Sequence, residues 1–373
     1  MIYADNAATT RLCDEAYEAM QPYLLEKYGN PSQPYSFSRS TKTALKNARM
    51  IIASGINASP DEIFFTSGGT ESDNWVIKSS LFFDKNKNGV VTSNIEHHAI
   101  LNSCMTVGQL GIPVTYVHAN SKGLINEAEF ENAVNSSTGL ASIMFANNEI
   151  GTIEPINKLA EIAHRYGVLF HTDAVQAVGH VPIDVRAMGI DMLSASAHKF
   201  YGPRGIGFLF VRNGIKLHNF MDGGSQEMGT RAGTENVAAI VGMAAAFKKS
   251  ISEMSLVKSH LSEIERFFIS ELHRAGIDFI RNGADDHLPG SVNISIKDAD
   301  GEMLLHRLDL KGICISTGSA CDSANTQVSH VIAAIKVPKE YAEGTIRVTF
   351  GAENTIKEAQ EIVHSLKEIL SDN

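Results

Sequence analysis

Short apolar runs alternate with segments of helical periodicity between residues 60 and 215. The runs are continuously apolar, which is typical of strands covered on both faces of a parallel sheet. They lie at residues 62–66, 90–93, 114–117, 141–145, 168–172 and 207–211. Between two of them, residues 155–166 carry apolar side chains at helical spacing, as a crossover helix does. The pattern predicts an α/β fold with a mostly parallel sheet.

The pattern changes after residue 235. A long helical stretch runs from residue 235 to about residue 275, with a predicted break near Met254 and Ser255. Fewer strands follow, at residues 291–295, 312–316 and 345–350. The last segment, residues 356–370, places its apolar residues on one helical stripe that needs a sheet to cover it. We therefore predict a second, α+β domain in the C-terminal part.

Composition and charge narrow the function classes. The chain of 373 residues has a net charge of −10 and no basic run, which disfavours stable nucleic-acid binding. It has no run of about 18 apolar residues that would span a membrane, and its first residues lack a secretion signal. The four cysteines show no metal-ligand spacing and are expected to be free thiols. A cytoplasmic protein without membrane attachment or metal is the expectation.

Three segments carry candidate chemistry, and each has a plainer alternative. Residues 67–71, Ser-Gly-Gly-Thr-Glu, join a strand to a helix, where backbone N–H groups bind phosphate, although such a segment is more often only a turn. Asp173 ends an apolar run, where α/β proteins bind ligands, but it suits a helix N-cap equally well. Lys199 lies between His198 and two aromatic residues, where burial would favour a nucleophilic amine, whereas most lysines are surface residues.

Together the three segments match what pyridoxal phosphate requires of a protein. The cofactor needs a phosphate cradle, a carboxylate that keeps its ring nitrogen protonated, and an amine that bonds to its aldehyde. The three features occurring in one chain make a stronger signal than any one of them. We therefore predict a pyridoxal-phosphate enzyme.

Nine short motifs extend this interpretation to the whole chain. They are Ala-Asp-Asn-Ala-Ala-Thr-Thr at 4–10, Tyr-Gly-Asn-Pro-Ser at 28–32, Thr-Ser-Gly-Gly-Thr-Glu-Ser at 66–72, Glu-His at 96–97, Asn-Asn-Glu-Ile-Gly at 147–151, His-Thr-Asp-Ala-Val-Gln at 171–176, Ser-Ala-Ser-Ala-His-Lys at 194–199, Arg-Ala-Gly-Thr-Glu-Asn at 231–236 and Ser-Thr-Gly-Ser-Ala-Cys at 316–321. In this order they closely resemble the motifs of cysteine desulfurases of the NifS/IscS type. The resemblance implies the fold-type I pyridoxal-phosphate architecture, with a large domain over residues 14–255 and a small domain formed by residues 1–13 and 256–373.

The resemblance also implies a role for each matching position. Lys199 bonds to the cofactor, Asp173 pairs with the ring nitrogen, and Gln176 donates to the phenolic oxygen. His97 stacks on the ring and helps to move protons. The other implied positions are Gly69, Thr70, Ser196 and His198 around the phosphate, Thr234 reaching the phosphate of the other subunit of a homodimer, and Asn148 and Arg347 near the substrate carboxylate.

Cys321 distinguishes this family from its neighbours. By the resemblance, its thiolate takes the sulfur of L-cysteine as a persulfide, L-alanine leaves, and the sulfur passes to an acceptor protein. The polar residues 323–327 are predicted to form a mobile loop. An aminotransferase or a selenocysteine lyase would share Lys199 and Asp173 without needing Cys321, and an inactive scaffold homologue would tolerate the loss of all three. We expect a cysteine desulfurase that serves iron–sulfur cluster assembly or another sulfur-transfer pathway.

A few positions depart from the pattern of the resembling family. Ser225 and Met228 replace a glycine and an arginine in the run at 223–229, and Tyr35 stands where histidine is common. The sequence also ends at Asn373, without the C-terminal extension with which some members dock a scaffold protein. None of these departures touches the expected cofactor residues, but they leave the sulfur acceptor open.

Overall fold

The computed structural model describes residues 1–317 and 328–371. Within these residues the strands are β1 (Ile2–Tyr3), β2 (Ile63–Thr66), β3 (Gly89–Ser93), β4 (Val114–Val117), β5 (Thr138–Ser142), β6 (Leu169–Asp173), β7 (Met192–Ser196), β8 (Gly207–Val211), β9 (Phe279–Arg281), β10 (Ser291–Ile296), β11 (Ile313–Cys314) and β12 (Thr345–Thr349). The helices are α1 (Asp14–Leu25), α2 (Arg39–Gly55), α3 (Gly69–Ser79), α4 (His98–Gln109), α5 (Glu127–Ala133), α6 (Ile156–Arg165), α7 (Val237–Ala275), α8 (Gly301–Leu310), α9 (His330–Ala334), α10 (Lys339–Ala342) and α11 (Ile356–Ser371).

Seven strands form the central sheet, in the order β2-β8-β7-β6-β5-β3-β4. The pairs from β7 to β4 are parallel, whereas β8 runs antiparallel to both β2 and β7. Every residue of β3, β5, β7 and β8 is buried, as expected of strands that are covered on both faces. The α/β fold with a mostly parallel sheet is confirmed.

One central strand lies earlier in the chain than predicted. The prediction was residues 141–145, but β5 spans Thr138–Ser142. Its first residues, Thr138 and Gly139, are not strongly apolar and are nevertheless buried, so their burial cannot be read from hydrophobicity. The chain stays beside β6 after β5 ends, because Phe145 N donates to Asp173 O at 2.8 Å. The residues after Phe145 therefore lie beyond the C-terminal end of β6.

The C-terminal part contains two small sheets. The strands β12, β10 and β9 form an antiparallel sheet, and β1 pairs in parallel with β11. The sequence did not predict β9, and the strand predicted at 312–316 shortens to Ile313–Cys314. The pairing of β1 with β11 fixes the first residues of the chain against the C-terminal part.

Helix α7 is continuous over 39 residues, so the predicted break near Met254 and Ser255 is wrong. Its first half packs into the core of the central sheet through side chains such as Phe247, and its second half packs into the C-terminal core through side chains such as Phe268. No residue of the middle part, 248–260, is buried. The apolar pattern is interrupted because the helix passes from one core to the other, and the backbone stays helical.

Apolar side chains form a further cluster between the sheet and helices α3 and α4.

In the described part of the chain, no helix is both long enough and apolar enough to cross a membrane. The domain boundaries at residues 13 and 255 stay a prediction.

Candidate active site

A cavity of about 310 Å³ lies where β5, β6 and β7 end. It is also bordered by the N-terminal ends of α3 and α4, by β12, and by the first residues of the chain. Ten predicted site residues line it: Gly69, Thr70, His97, Asn148, Asp173, Gln176, Ser196, His198, Lys199 and Arg347. Thr234 is exposed and lies outside the cavity lining, and Cys321 lies outside the described residues, as do residues 323–327.

Lys199 ends a short helical turn that follows β7. Its Nζ donates hydrogen bonds to the carbonyl oxygens of Ala7, at 2.6 Å, and Ala8, at 2.8 Å. Gln176 Nε2 donates to the same Ala7 carbonyl at 2.9 Å. The Lys199 carbonyl is fixed in turn by His180 Nε2 at 2.8 Å. Two backbone carbonyls from the N-terminal segment therefore hold the amine at the cavity.

Asp173 is the last residue of β6, and its side chain is buried. Its Oδ1 accepts a hydrogen bond from Val175 N at 2.9 Å, as a capping carboxylate does. Burial raises the pKa of Asp173, while the positive charge of Lys199 and the Val175 N–H oppose that rise. The two interpretations offered by the sequence are thus compatible, because one oxygen ties down the turn while the side chain still faces the cavity.

His97 is the N-cap of α4, and its Nδ1 accepts a hydrogen bond from Ala99 N at 3.1 Å. Burial lowers the pKa of His97, so the ring is neutral near pH 7, and with Nδ1 accepting, its proton lies on Nε2. Burial also lowers the pKa of His198, to about 4, and its Nδ1 lies 3.1 Å from Thr9 Oγ1. Both imidazoles are therefore neutral hydrogen-bonding groups.

The turn before α3 fits a phosphate group. Gly68 has a φ of +148°, which a side chain would strain, and Ser196 Oγ would lie 3.3 Å from a Cβ placed on it. A Cβ on Gly69 would clash with Val175 Cγ2. The first turn of α3 presents N–H groups that have no partner within the helix, and Thr70 and Ser196 add hydroxyls. This set of donors favours phosphate binding over the alternative that the segment is only a turn.

Arg347 lies on β12 and is almost fully buried. Its Nη2 forms an ion pair with Asp5 Oδ1 at 2.7 Å, and its Nη1 donates to the carbonyl oxygen of Asn148 at 2.9 Å. Its Nε is buried without a hydrogen-bond partner. The guanidinium is thus fixed on two sides and keeps a donor for a carboxylate group.

The sequence missed other residues of the cavity. The described lining also contains Ala7, Ala8, Asp73, His98, Met144, Ala146, Glu149, Val175 and His330. For Ala7 and Ala8, the motif at 4–10 was a signal, but their contribution is made by backbone carbonyls. Asp73 lies inside α3, where a charged residue is usually taken for part of the solvent-exposed face.

Comparison with protein families gives a match over nearly the whole chain. The aminotransferase class-V family matches residues 2–362. A protein of Dictyoglomus turgidum named cysteine desulfurase IscS is 47% identical over 371 residues, which cover 99% of this chain and 94% of the relative. A protein of Methanosarcina thermophila with the same name is 43% identical over 370 residues, covering 99% of this chain and 92% of the relative.

Solved structures agree with these sequence relatives. A structure described as a NifS-like protein superposes with a TM-score of 0.94 at 35% identity and covers both chains completely. A structure described as SspA in complex with cysteine has a TM-score of 0.84 at 34% identity, covering 95% of this chain and all of the other.

Proposed function

The chain belongs to the aminotransferase class-V family, and from this premise we infer that it is a pyridoxal-phosphate-dependent cysteine desulfurase. It converts L-cysteine to L-alanine and transfers the sulfur to an acceptor. The observation that carries this function is the meeting of Lys199, Asp173 and Arg347 in one cavity of a chain that is similar over its full length to proteins named cysteine desulfurase. The likeness to a structure in complex with cysteine supports the substrate.

The cavity residues divide between holding the cofactor and handling protons. When bound, pyridoxal phosphate supplies an electron-withdrawing ring that makes the Cα proton of the amino acid removable. The α3 turn, Thr70, Ser196 and His198 would hold its phosphate, and Asp173 would hold its ring nitrogen. Lys199 would bond to its aldehyde and, once released by the substrate, accept the Cα proton at Nζ.

Two further residues, His97 and Arg347, assist this proton transfer. The neutral His97 ring carries its proton at Nε2, where it would act as a hydrogen-bond donor in the cavity. Arg347 binds the substrate carboxylate through the donors that Asp5 and Asn148 leave available. Because Asp5 and Asn148 fix the guanidinium beforehand, little side-chain entropy is lost when the substrate binds.

The sulfur-accepting group is Cys321. The thiolate of Cys321 attacks the sulfur of the bound substrate, and the bond between that sulfur and its carbon breaks. The transferred sulfur remains as a persulfide on Cys321, and a proton replaces it on the substrate carbon to give alanine. The persulfide sulfur then passes to an acceptor protein. Iron–sulfur cluster assembly is one destination for this sulfur, and another sulfur carrier is the alternative.

Product analysis tests the function directly. The purified enzyme, loaded with cofactor, is incubated with L-cysteine and a thiol reductant. Alanine and sulfide are expected in equal amounts, because each turnover releases one of each. Formation of an oxo acid with an amino acceptor present would instead assign the chain to the aminotransferases. Turnover of L-selenocysteine without turnover of L-cysteine would assign it to the selenocysteine lyases.

The position of Thr234 supports a homodimeric enzyme. Thr234 is exposed, lies outside the cavity of its own chain, and belongs to the segment that leads into α7. A phosphate ligand at this position is useful only to a neighbouring subunit. The described cysteines, Cys13, Cys104 and Cys314, are free thiols, which suits a reducing compartment such as the cytoplasm.

Mixed dimers test whether Thr234 acts across the interface. A dimer of one Lys199→Ala chain and one Thr234→Ala chain is expected to keep about half of the wild-type activity, because both lesions then fall in one site and the other site is intact. The matched control places both substitutions in one chain and pairs it with a wild-type chain. That dimer has a lesion in each site and is expected to be nearly inactive. The reverse order of activities would show that Thr234 serves its own chain.

A further inference from the structure

A second buried carboxyl lies in the wall of the cavity beside Asp173. Asp73 is in the first half of α3, one helical turn beyond Gly69, and its side chain is only 1% exposed. It lines the cavity, and its Oδ1 accepts no hydrogen bond. Ionised carboxylates without hydrogen bonds are seldom buried, because burial removes the hydration that stabilises the charge. The surroundings of Asp73 therefore decide its charge.

The two carboxyls do not have equivalent surroundings. Both side chains line the cavity, and a side-chain hydrogen bond links them. Asp173 also accepts the Val175 N–H and faces the positive charge of Lys199, and both favour its ionised form. Ser194 donates a hydrogen bond to Asp73, but burial and the negative charge of Asp173 raise the pKa of Asp73 well above its ordinary value. A proton shared by the pair therefore lies on Asp73.

The nearby histidine does not act as a counter-ion. His171 Nε2 lies 3.8 Å from Asp73 Oδ1, but it is within 3.0 Å of Ser194 Oγ, and Nδ1 is within 2.8 Å of Ser142 Oγ. Burial lowers the pKa of His171 to about 3, so the ring is neutral at any pH at which the enzyme is expected to work. Two neutral hydroxyls satisfy its nitrogens without making it cationic.

We propose that Asp73 is held as the neutral acid and donates its proton in a hydrogen bond to the carboxylate of Asp173, so that the pair carries a single negative charge. Asp73 is then a positioning residue. It fixes the rotamer of Asp173 and keeps the carboxylate directed at the cavity. The chemical use of this charge, pairing with the cofactor's ring nitrogen, rests on the proposed function, but the protonation of Asp73 does not.

Infrared spectroscopy of the holoenzyme reads the protonation directly. Un-ionised carboxylic acids absorb at frequencies where carboxylates do not. At pH 7 the difference spectrum between wild type and Asp73→Asn is expected to show the loss of one acid band, and labelling the wild type with carboxyl-¹³C aspartate is expected to shift that band without any substitution. Loss of a carboxylate band instead, with no shifted acid band, would overturn the proposal.

The control variant for this measurement is Glu154→Gln. Glu154 is buried outside the lining of this cavity, and burial raises its pKa to about 8, so it also holds a proton at pH 7. The control should remove an acid band that the aspartate label does not shift. The wild-type product assay reports the proposed function separately, so a failure of the function leaves the infrared result interpretable.

Turnover of two variants tests the hydrogen bond to Asp173. Asparagine keeps a neutral donor at position 73, so Asp73→Asn is expected to retain kcat within about threefold of wild type. Leucine keeps the size and removes the donor, so Asp73→Leu is expected to lower kcat by about 10-fold or more with little change in KM. Equal losses in both folded variants would show that the charge of Asp73 is needed, and an undiminished Asp73→Leu enzyme would show that the bond is not needed. Either result contradicts the proposal.

Discussion

Replacement of Lys199 by alanine is expected to remove both the covalent link to the cofactor and the turnover of L-cysteine. The general acid–base contribution of one such group is worth about 100-fold to 10,000-fold in rate, and Lys199 serves as nucleophile in addition. The visible absorbance of the bound cofactor should shift or disappear. The measurement is the mass of the protein after borohydride reduction, which preserves a lysine–cofactor bond in the wild type and should find none in the variant.

Lys87→Ala is the matched control for this result. Lys87 Nζ also donates to two backbone carbonyls, those of Tyr166 at 3.3 Å and Gly167 at 2.6 Å, but it lies outside the cavity lining. Its loss should leave cofactor attachment and turnover unchanged. A Lys199→Ala protein that still carried the cofactor's mass after reduction would refute the assignment of Lys199.

Cys321→Ser should impair sulfur transfer and leave cofactor binding intact. A hydroxyl is too weak a nucleophile at neutral pH to take sulfur, so we expect alanine formation to fall by at least about 100-fold. Cofactor binding and L-cysteine binding should persist, because neither depends on the thiol. Mass spectrometry after brief exposure to L-cysteine without reductant should find one added sulfur on wild-type Cys321 and none on the variant.

The remaining cysteines supply the controls. Burial raises the pKa of Cys104 to about 12 and also raises that of Cys13 and Cys314, so each is overwhelmingly the unreactive thiol near pH 7. Serine at Cys13 or Cys314 should therefore leave persulfide formation intact. Added sulfur on Cys314 or Cys104, or full alanine release by Cys321→Ser, would favour the lyase or aminotransferase alternative.

The parts of the site that the sequence predicted are those whose chemistry is unusual for their position. A lysine and an aspartate at the ends of apolar strands, such as Lys199 and Asp173, are conspicuous because parallel strands bring such ends together. Their meeting in one cavity follows from the strand order β5-β6-β7. The alternation of apolar runs with helical segments likewise sufficed for the fold class.

The parts that could not be predicted depend on tertiary packing. Asp73 is one polar residue in a helix, and only the packing of α3 buries it against Asp173. The carbonyls of Ala7 and Ala8 carry no side-chain signal at all. In α7, the exposed stretch between two cores has the same appearance in the sequence as a break in the helix. In each case the deciding contact is made by residues far away in the chain.

The hydrogen bonds of the N-terminal segment bear on when the enzyme becomes competent during synthesis. Residues 5, 7 and 8 leave the ribosome long before their partners, Arg347 and Lys199. At about 5–20 residues per second, the nascent chain spends tens of seconds without the pair that joins Asp5 to Arg347. The cavity is therefore completed only after most of the chain has been translated, and full cofactor capture belongs to the finished polypeptide.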